Sequence, residues 1–129
     1  MANRLEASIT KYCDERTESN LAELDIALVE ERFHVPVATA VKELEPGRYD
    51  VPVVCLKTEA GAGAIPAFTT VEQLLNWKPE GQKYTTVTGA ALIAMASDMP
   101  GISEIRVNPN GAPRGLIPRA EFSRLLSLK

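Results

Sequence analysis

Gly61-Ala-Gly63 is the first place in this 129-residue chain to look for chemistry, because closely spaced glycines open the loops that cradle dinucleotide phosphates. The pattern is incomplete. Pro66 stands where the third glycine belongs, and the residues that follow read as a strand instead of the helix start a pyrophosphate needs. A hairpin is the better reading of Glu59 to Gly63. A Gly-x-x-x-x-Gly-Lys-Ser/Thr loop and a Gly-x-Ser-x-Gly elbow are both missing, so triphosphate binding and a nucleophilic serine on an elbow have no support.

The acid–base candidates are few. His34 is the one histidine, placed where a helix gives way to a strand with no Ser or Cys at a motif spacing, which fits a structural or exposed side chain better than a general base. Asp25 interrupts an apolar helical arc near Leu21, Leu28 and Arg32. A partly buried pair with Arg32 is expected there, ahead of a functional carboxylate. Cys13 and Cys55 do not form a disulfide framework and read as small buried hydrophobes. One histidine and no paired Cys or His spacing leave no metal site to expect, and no cofactor is expected either.

Binding candidates are more numerous. Arg106, Arg114 and Arg119 surround the Asn108-Pro109-Asn110-Gly111 turn and the start of a last helix, where guanidinium groups and free N–H groups can hold an anion. Trp77 lies off the apolar stripe of its helix, so it either packs at the core border or anchors a partner. Trp77, Arg106, Asn108, Arg114 and Arg119 are therefore the candidate ligand- or partner-binding residues.

The elements that must position them follow from periodicity. Leu5, Ile9, Tyr12 and Cys13 mark a short amphipathic helix, and Asn20 with Glu23 offers a second helix start whose apolar arc includes Leu21, Ala22, Leu24, Ile26, Leu28 and Val29. Phe33 to Ala38 is expected as a strand near a sheet edge because Pro36 cannot donate a ladder bond. Pro46-Gly47 is a turn. Val51 to Leu56 is expected inside the sheet, followed by a hairpin into Ile65–Phe68. Thr69 and Thr70 precede a capped helix over 71–77 with Val71, Leu74 and Leu75 as its buried face. Tyr84 to Val87 favours a strand, Thr88 can cap an alanine-rich helix over 90–98, and Pro100-Gly101 stops it. Ile102 to Val107 reads as a strand, Asn108 to Gly111 as a turn with Gly111 supplying positive φ, Arg114 to Ile117 as a short strand and 119–128 as a last helix. The expectation is a single α/β (α+β) domain, 1–129, with a mixed sheet of four to five strands packed with helices.

Composition is ordinary for a globular domain, with 45% hydrophobic and 24% charged residues. Residues 1–60 carry 12 acidic and 7 basic side chains, whereas residues 100–129 carry 2 and 5. A net charge of −3 argues against a general nucleic-acid binder. The sequence has no apolar run near the ~20 residues a membrane span needs and no secretory h-region, so the expected location is cytoplasmic, away from membranes.

Several strings together resemble a known family. Val35-Pro36, the run Ile65-Pro66-Ala67-Phe68-Thr69 leading to Leu74 and Trp77, Asn108-Pro109 with Gly111, and the Phe122–Leu126 helix resemble the N-terminal domain of the SseB family, the enhanced serine sensitivity proteins. The resemblance is strongest over residues 33–128. It implies a bacterial, cytoplasmic α/β domain and brings no catalytic residues with it. The leading expectation is a non-enzymatic interaction or regulatory domain with a protein partner or weak self-association. The alternatives are a domain binding an amino acid or other anion near Arg106 and Arg114, and an acidic partner that neutralises a basic toxin through residues 14–31. An enzyme ranks last, with Asp25 as its best remaining handle.

Overall fold

The computed structural model describes residues 4–38, 42–46, 48–50, 53–59 and 61–128. Two helices, α1 (Arg4–Asp14) and α2 (Glu18–Glu30), open the chain as an antiparallel pair. Their ends are tied by Lys11 to Glu23 at 3.1 Å and by Arg4 to Glu30 and Glu31 at 3.2 Å each. The helix start falls at Thr17, earlier than the expected Asn20. Thr17 Oγ1 accepts the Asn20 N–H at 3.1 Å, and the Asn20 side chain donates to the Glu15 carbonyl at 2.8 Å. The buried face of α2 is narrower than the sequence arc, since Ala22 and Ile26 are exposed while Ala27, Leu28 and Val29 are buried.

The strands are β1 (Arg32–Pro36), β2 (Lys42–Glu45), β3 (Arg48–Asp50), β4 (Leu56–Lys57), β5 (Gly63–Ala67), β6 (Tyr84–Thr88), β7 (Ile102–Val107) and β8 (Gly115–Pro118). A mixed sheet runs in the order β4-β5-β7-β8, with β5 and β7 parallel and the other pairs antiparallel. β1 pairs with β6, and β2 with β3. This is the expected α+β architecture. The β2–β3 hairpin is an addition to it, because Lys42-Glu-Leu-Glu has little apolar alternation to announce a strand; Gly47 of the expected turn lies outside the described residues.

Two strand placements differ from expectation, and two prolines explain both. β1 is flanked on both sides instead of lying at an edge: Val37 N–H donates to Lys83 on the β6 side, and His34 and Phe68 exchange backbone bonds on the other. Successive N–H groups of a strand alternate in direction, so Pro36 faces the same side as His34, toward Phe68 and away from β6. Continuing the His34–Phe68 register by two residues sets Pro36 opposite Pro66. Neither can donate, and the ladder between β1 and β5 stops there. The Pro36 carbonyl accepts the Val54 N–H instead, at 3.0 Å. The segment expected as an inner strand over Val51–Leu56 is thereby reduced to a bridge from Val53 to Val37 and the two-residue edge strand β4. Val51 and Pro52 lie outside the described residues.

Helices α3 (Val71–Trp77) and α4 (Gly89–Ser97) start where the sequence places them, with Thr70 and Thr88 accepting the Gln73 and Ala91 N–H groups. Leu75 departs from the expected buried face of α3 and is exposed. The last helix is shorter than expected, a 3-10 turn over Arg119–Glu121 followed by α5 (Phe122–Leu126). The core joins Leu5 and Ile9 of α1, Leu28 of α2, Phe33 and Val35 of β1, Ile65 of β5, Leu92 and Ile93 of α4, Ile105 of β7 and Phe122 of α5. Gly89 makes the α2–α4 contact possible, since a Cβ there would stand 1.5 Å from the Leu28 carbonyl oxygen.

Candidate functional site

An apolar cleft forms where three remote segments meet. Helix α1 contributes Ile9, Tyr12 and Cys13, spaced to share one face, and Arg16 follows its end. Helix α2 adds Leu24 and Leu28. The floor comes from Val107 of β7 and from Gly115, Leu116 and Ile117 of β8, with Arg114 at the entrance to that strand. The cleft has a volume of about 570 Å³, within the range of sites that enclose ligands or side chains.

One wall is an open strand edge. Asn108 N–H donates to Ala67 on β5, so alternation turns the Val107 and Ile105 backbone groups toward β8. There they face Gly115 and Ile117. The N–H and C=O of Leu116 consequently point away from β7, and no described strand pairs with that side. The Leu116 side chain is 57% exposed. Two cations lie at the cleft. Arg16 stands over the Tyr12 ring at 5.6 Å, and neither Arg16 nor Arg114 pairs with a carboxylate among the described residues.

The residues singled out from the sequence are dispersed. Arg114 borders the cleft. Arg106 is held by Glu104 on its own strand. Arg119 is engaged at the C-terminal end of α4, where Nη1 donates to the carbonyls of Ala96, Met99 and Ile102 at 3.3, 3.0 and 2.8 Å and Nη2 to Ser97 at 2.7 Å. Ala96 and Ser97 lie in the last turn of α4, where carbonyls run out of intrahelical partners, while Met99 and Ile102 belong to the connection into β7. Asn108 is fully buried with φ at 51°, a left-handed conformation that asparagine tolerates. The positive φ expected at Gly111 therefore sits at Asn108. A Cβ at Gly111 would stand 1.9 Å from Gln73 Oε1, so a side chain there would push aside the end of the Gln73 side chain. Trp77 is half-buried against Phe68, ring centroids 5.4 Å apart, with the Lys78 ammonium 5.3 Å from its ring.

The other candidates also change partners. Asp25 pairs with Arg124, not Arg32. Arg124 Nη1 donates to Oδ2 at 2.6 Å and Nη2 to Oδ1 at 3.3 Å. Asp25 and then Glu121 hold the Arg124 guanidinium above its ordinary pKa. His34 lines a polar hollow of about 460 Å³ with Glu30, Glu31, Arg32, Thr69 and Thr86, and its Nδ1 lies 2.9 Å from Thr86 Oγ1. Burial pushes its pKa below 6.5. Cys13 and Cys55 are both exposed, contrary to the buried role expected. Burial of part of its surroundings still raises the Cys55 thiol pKa.

Sequence reasoning passed over Arg16 and Leu116, and it read Ile9, Tyr12 and Cys13 only as the apolar face of a short amphipathic helix. The available signal was Tyr12 and Arg16 four residues apart, with Leu116 alternating against Ile117 in a short strand.

No curated protein and no solved structure matches the chain. The family model described as SseB protein N-terminal domain matches residues 5–122, nearly the whole chain. With that match added to the strings around Pro66 and Asn108, the chain belongs to the SseB N-terminal domain family.

Proposed function

We propose that this domain is a non-enzymatic interaction module of the bacterial cytoplasm, binding a protein partner through the cleft between α1, α2 and β8. The observation that carries the reading is the coincidence of an apolar cleft with, among the described residues, a strand edge at Leu116 that no strand covers and two cations without carboxylate partners. Exposed edges are normally blunted or covered, so one set beside apolar side chains suits a partner. The polar groups with most chemical promise are occupied elsewhere: Asn108, Arg119 and Asp25 all serve internal bonds. No helix among the described residues is long and apolar enough to cross a membrane.

Affinity capture with the intact domain and with Leu116→Asp tests the reading. A protein retained from the native cytoplasm by the wild type and lost with the variant is expected. Identical recovery by both, or no recovery by either, argues against it.

A second reading, binding of an amino acid or other small anion, is favoured by Arg16 and Arg114 alone. A metabolite that raises the melting temperature, with the rise lost in Arg114→Ala, supports that reading over the first. The toxin-neutralising reading draws less support, because Glu23, Asp25, Glu30 and Glu31 are paired with Lys11, Arg124 and Arg4.

A further inference from the structure

We infer that the cleft takes an extended peptide, the C-terminal tail of a partner protein, added antiparallel to the outer edge of β8 with its terminal carboxylate at Arg16 and Arg114. This rests on the interaction reading above and specifies its mode.

Three features set the geometry. The outward N–H and C=O of Leu116 provide one donor and one acceptor, the pair an antiparallel neighbour exchanges with a single residue. Pro118, two residues on and facing the same way, has no N–H, so pairing cannot extend along that end of β8. An added strand is thus confined to the stretch from Arg114 to Leu116. Running antiparallel, it carries its C-terminus toward the start of β8, where Arg114 precedes Gly115.

Side-chain alternation then assigns the contacts. The residue opposite Leu116 lies on the Leu116 face, and its two neighbours point the other way, toward Ile9, Leu24 and Leu28. Apolar side chains at those positions fill the cleft. A carboxylate at the end of the peptide meets two guanidinium groups that pair with no carboxylate among the described residues, and charge-assisted bonds of this kind are the strong ones. Backbone pairing supplies affinity and the alternate pockets supply selectivity, as in other strand-addition sites. A free amino acid would satisfy the arginines and leave the Leu116 edge unmatched. A second copy of the chain would bring another Arg114 and Arg16 into the same assembly.

The test uses the full chain and a phage library of random octapeptides with free C-termini. Enriched sequences with apolar residues at alternate positions are expected. Synthetic versions should bind about tenfold more weakly when C-terminally amidated, and weaken similarly against Arg114→Glu. Arg114 is exposed, so that variant should melt like the wild type. The amidated peptide makes the same comparison without any variant. Hydrogen exchange gives the direct readout, because the Leu116 amide should gain protection on peptide binding. The inference is overturned by an unenriched library, by peptides indifferent to both amidation and Arg114→Glu, or by an unprotected Leu116 amide. A dimer in sedimentation that Leu116→Asp dissolves also overturns it in favour of self-association. If affinity capture finds a partner dependent on Leu116 while these peptide tests fail, the interaction reading stands and this mode alone falls.

Discussion

The Asn108 side chain reaches back 39 residues in sequence to hold the backbone of Thr69. Its Oδ1 accepts the Thr69 N–H at 3.1 Å, while its Nδ2 donates to Thr69 Oγ1 at 3.0 Å and to the Pro113 carbonyl at 2.8 Å. The end of β7 is thereby fastened to the residue that precedes the cap of α3 and to the loop that leads into β8. Asn108→Ala removes every side-chain bond of this set inside the core. A loss of about 3 kcal/mol in unfolding free energy is expected from chemical denaturation, with little rescue by Asn108→Asp, which restores an acceptor but not the donor to Pro113.

Arg124 and Asp25 should respond unequally to mutation. Asp25 is 7% exposed, whereas Arg124 is half in water. Arg124→Met strands a carboxylate that water barely reaches and should cost about 2 kcal/mol. Asp25→Asn leaves a cation that can turn to solvent and should cost under about 1 kcal/mol. Urea unfolding of both variants checks the order.

Gly89→Ala should be severe for so small a change. The added methyl would occupy the place of the Leu28 carbonyl, so α2 and α4 must separate. A loss of more than about 3 kcal/mol, or failure to fold, is the expected result in thermal melting.

Trp77→Ala should lower stability by about 2 kcal/mol through lost contact with Phe68. Trp77→Phe should recover most of this. Neither should change which proteins the cleft retains, since Trp77 is absent from its lining.

The pH dependence follows from His34. Burial lowers its folded pKa beneath the ordinary 6.5, so the unfolded chain binds the proton more readily. Its contribution is complete above the unfolded value and is lost as pH falls through the lowered folded one. The melting temperature of wild type relative to His34→Gln should therefore fall between about pH 7 and about pH 5.

The parts of the fold legible in sequence are those decided locally. Thr70 and Thr88 announce their helices by side-chain chemistry, and Ile102–Val107 by its apolar spacing. What escaped depends on partners far along the chain. Nothing near Asp25 points to Arg124, 99 residues away, or shows that Arg119 will reach the carbonyls of α4. Pro36 is legible in sequence as a missing donor, but an edge is only one way to accommodate it; a facing proline is another. The cleft was legible only as Arg114, because its remaining walls come from segments around residues 9–16, 24–28 and 107–117.

That facing pair has an evolutionary consequence. Replacing Pro36 alone would add a donor aimed at the Pro66 carbonyl, yet Pro66 would still return none and the Pro36-side carbonyl is already taken by Val54. Replacing Pro66 alone meets the same obstacle from the other strand. Joining β1 to β5 as a full ladder therefore requires two coincident substitutions together with eviction of the Val53–Val54 segment. No single substitution at Pro36 or Pro66 restores both bonds of the facing pair, so the division of the sheet outlasts any one change at either position.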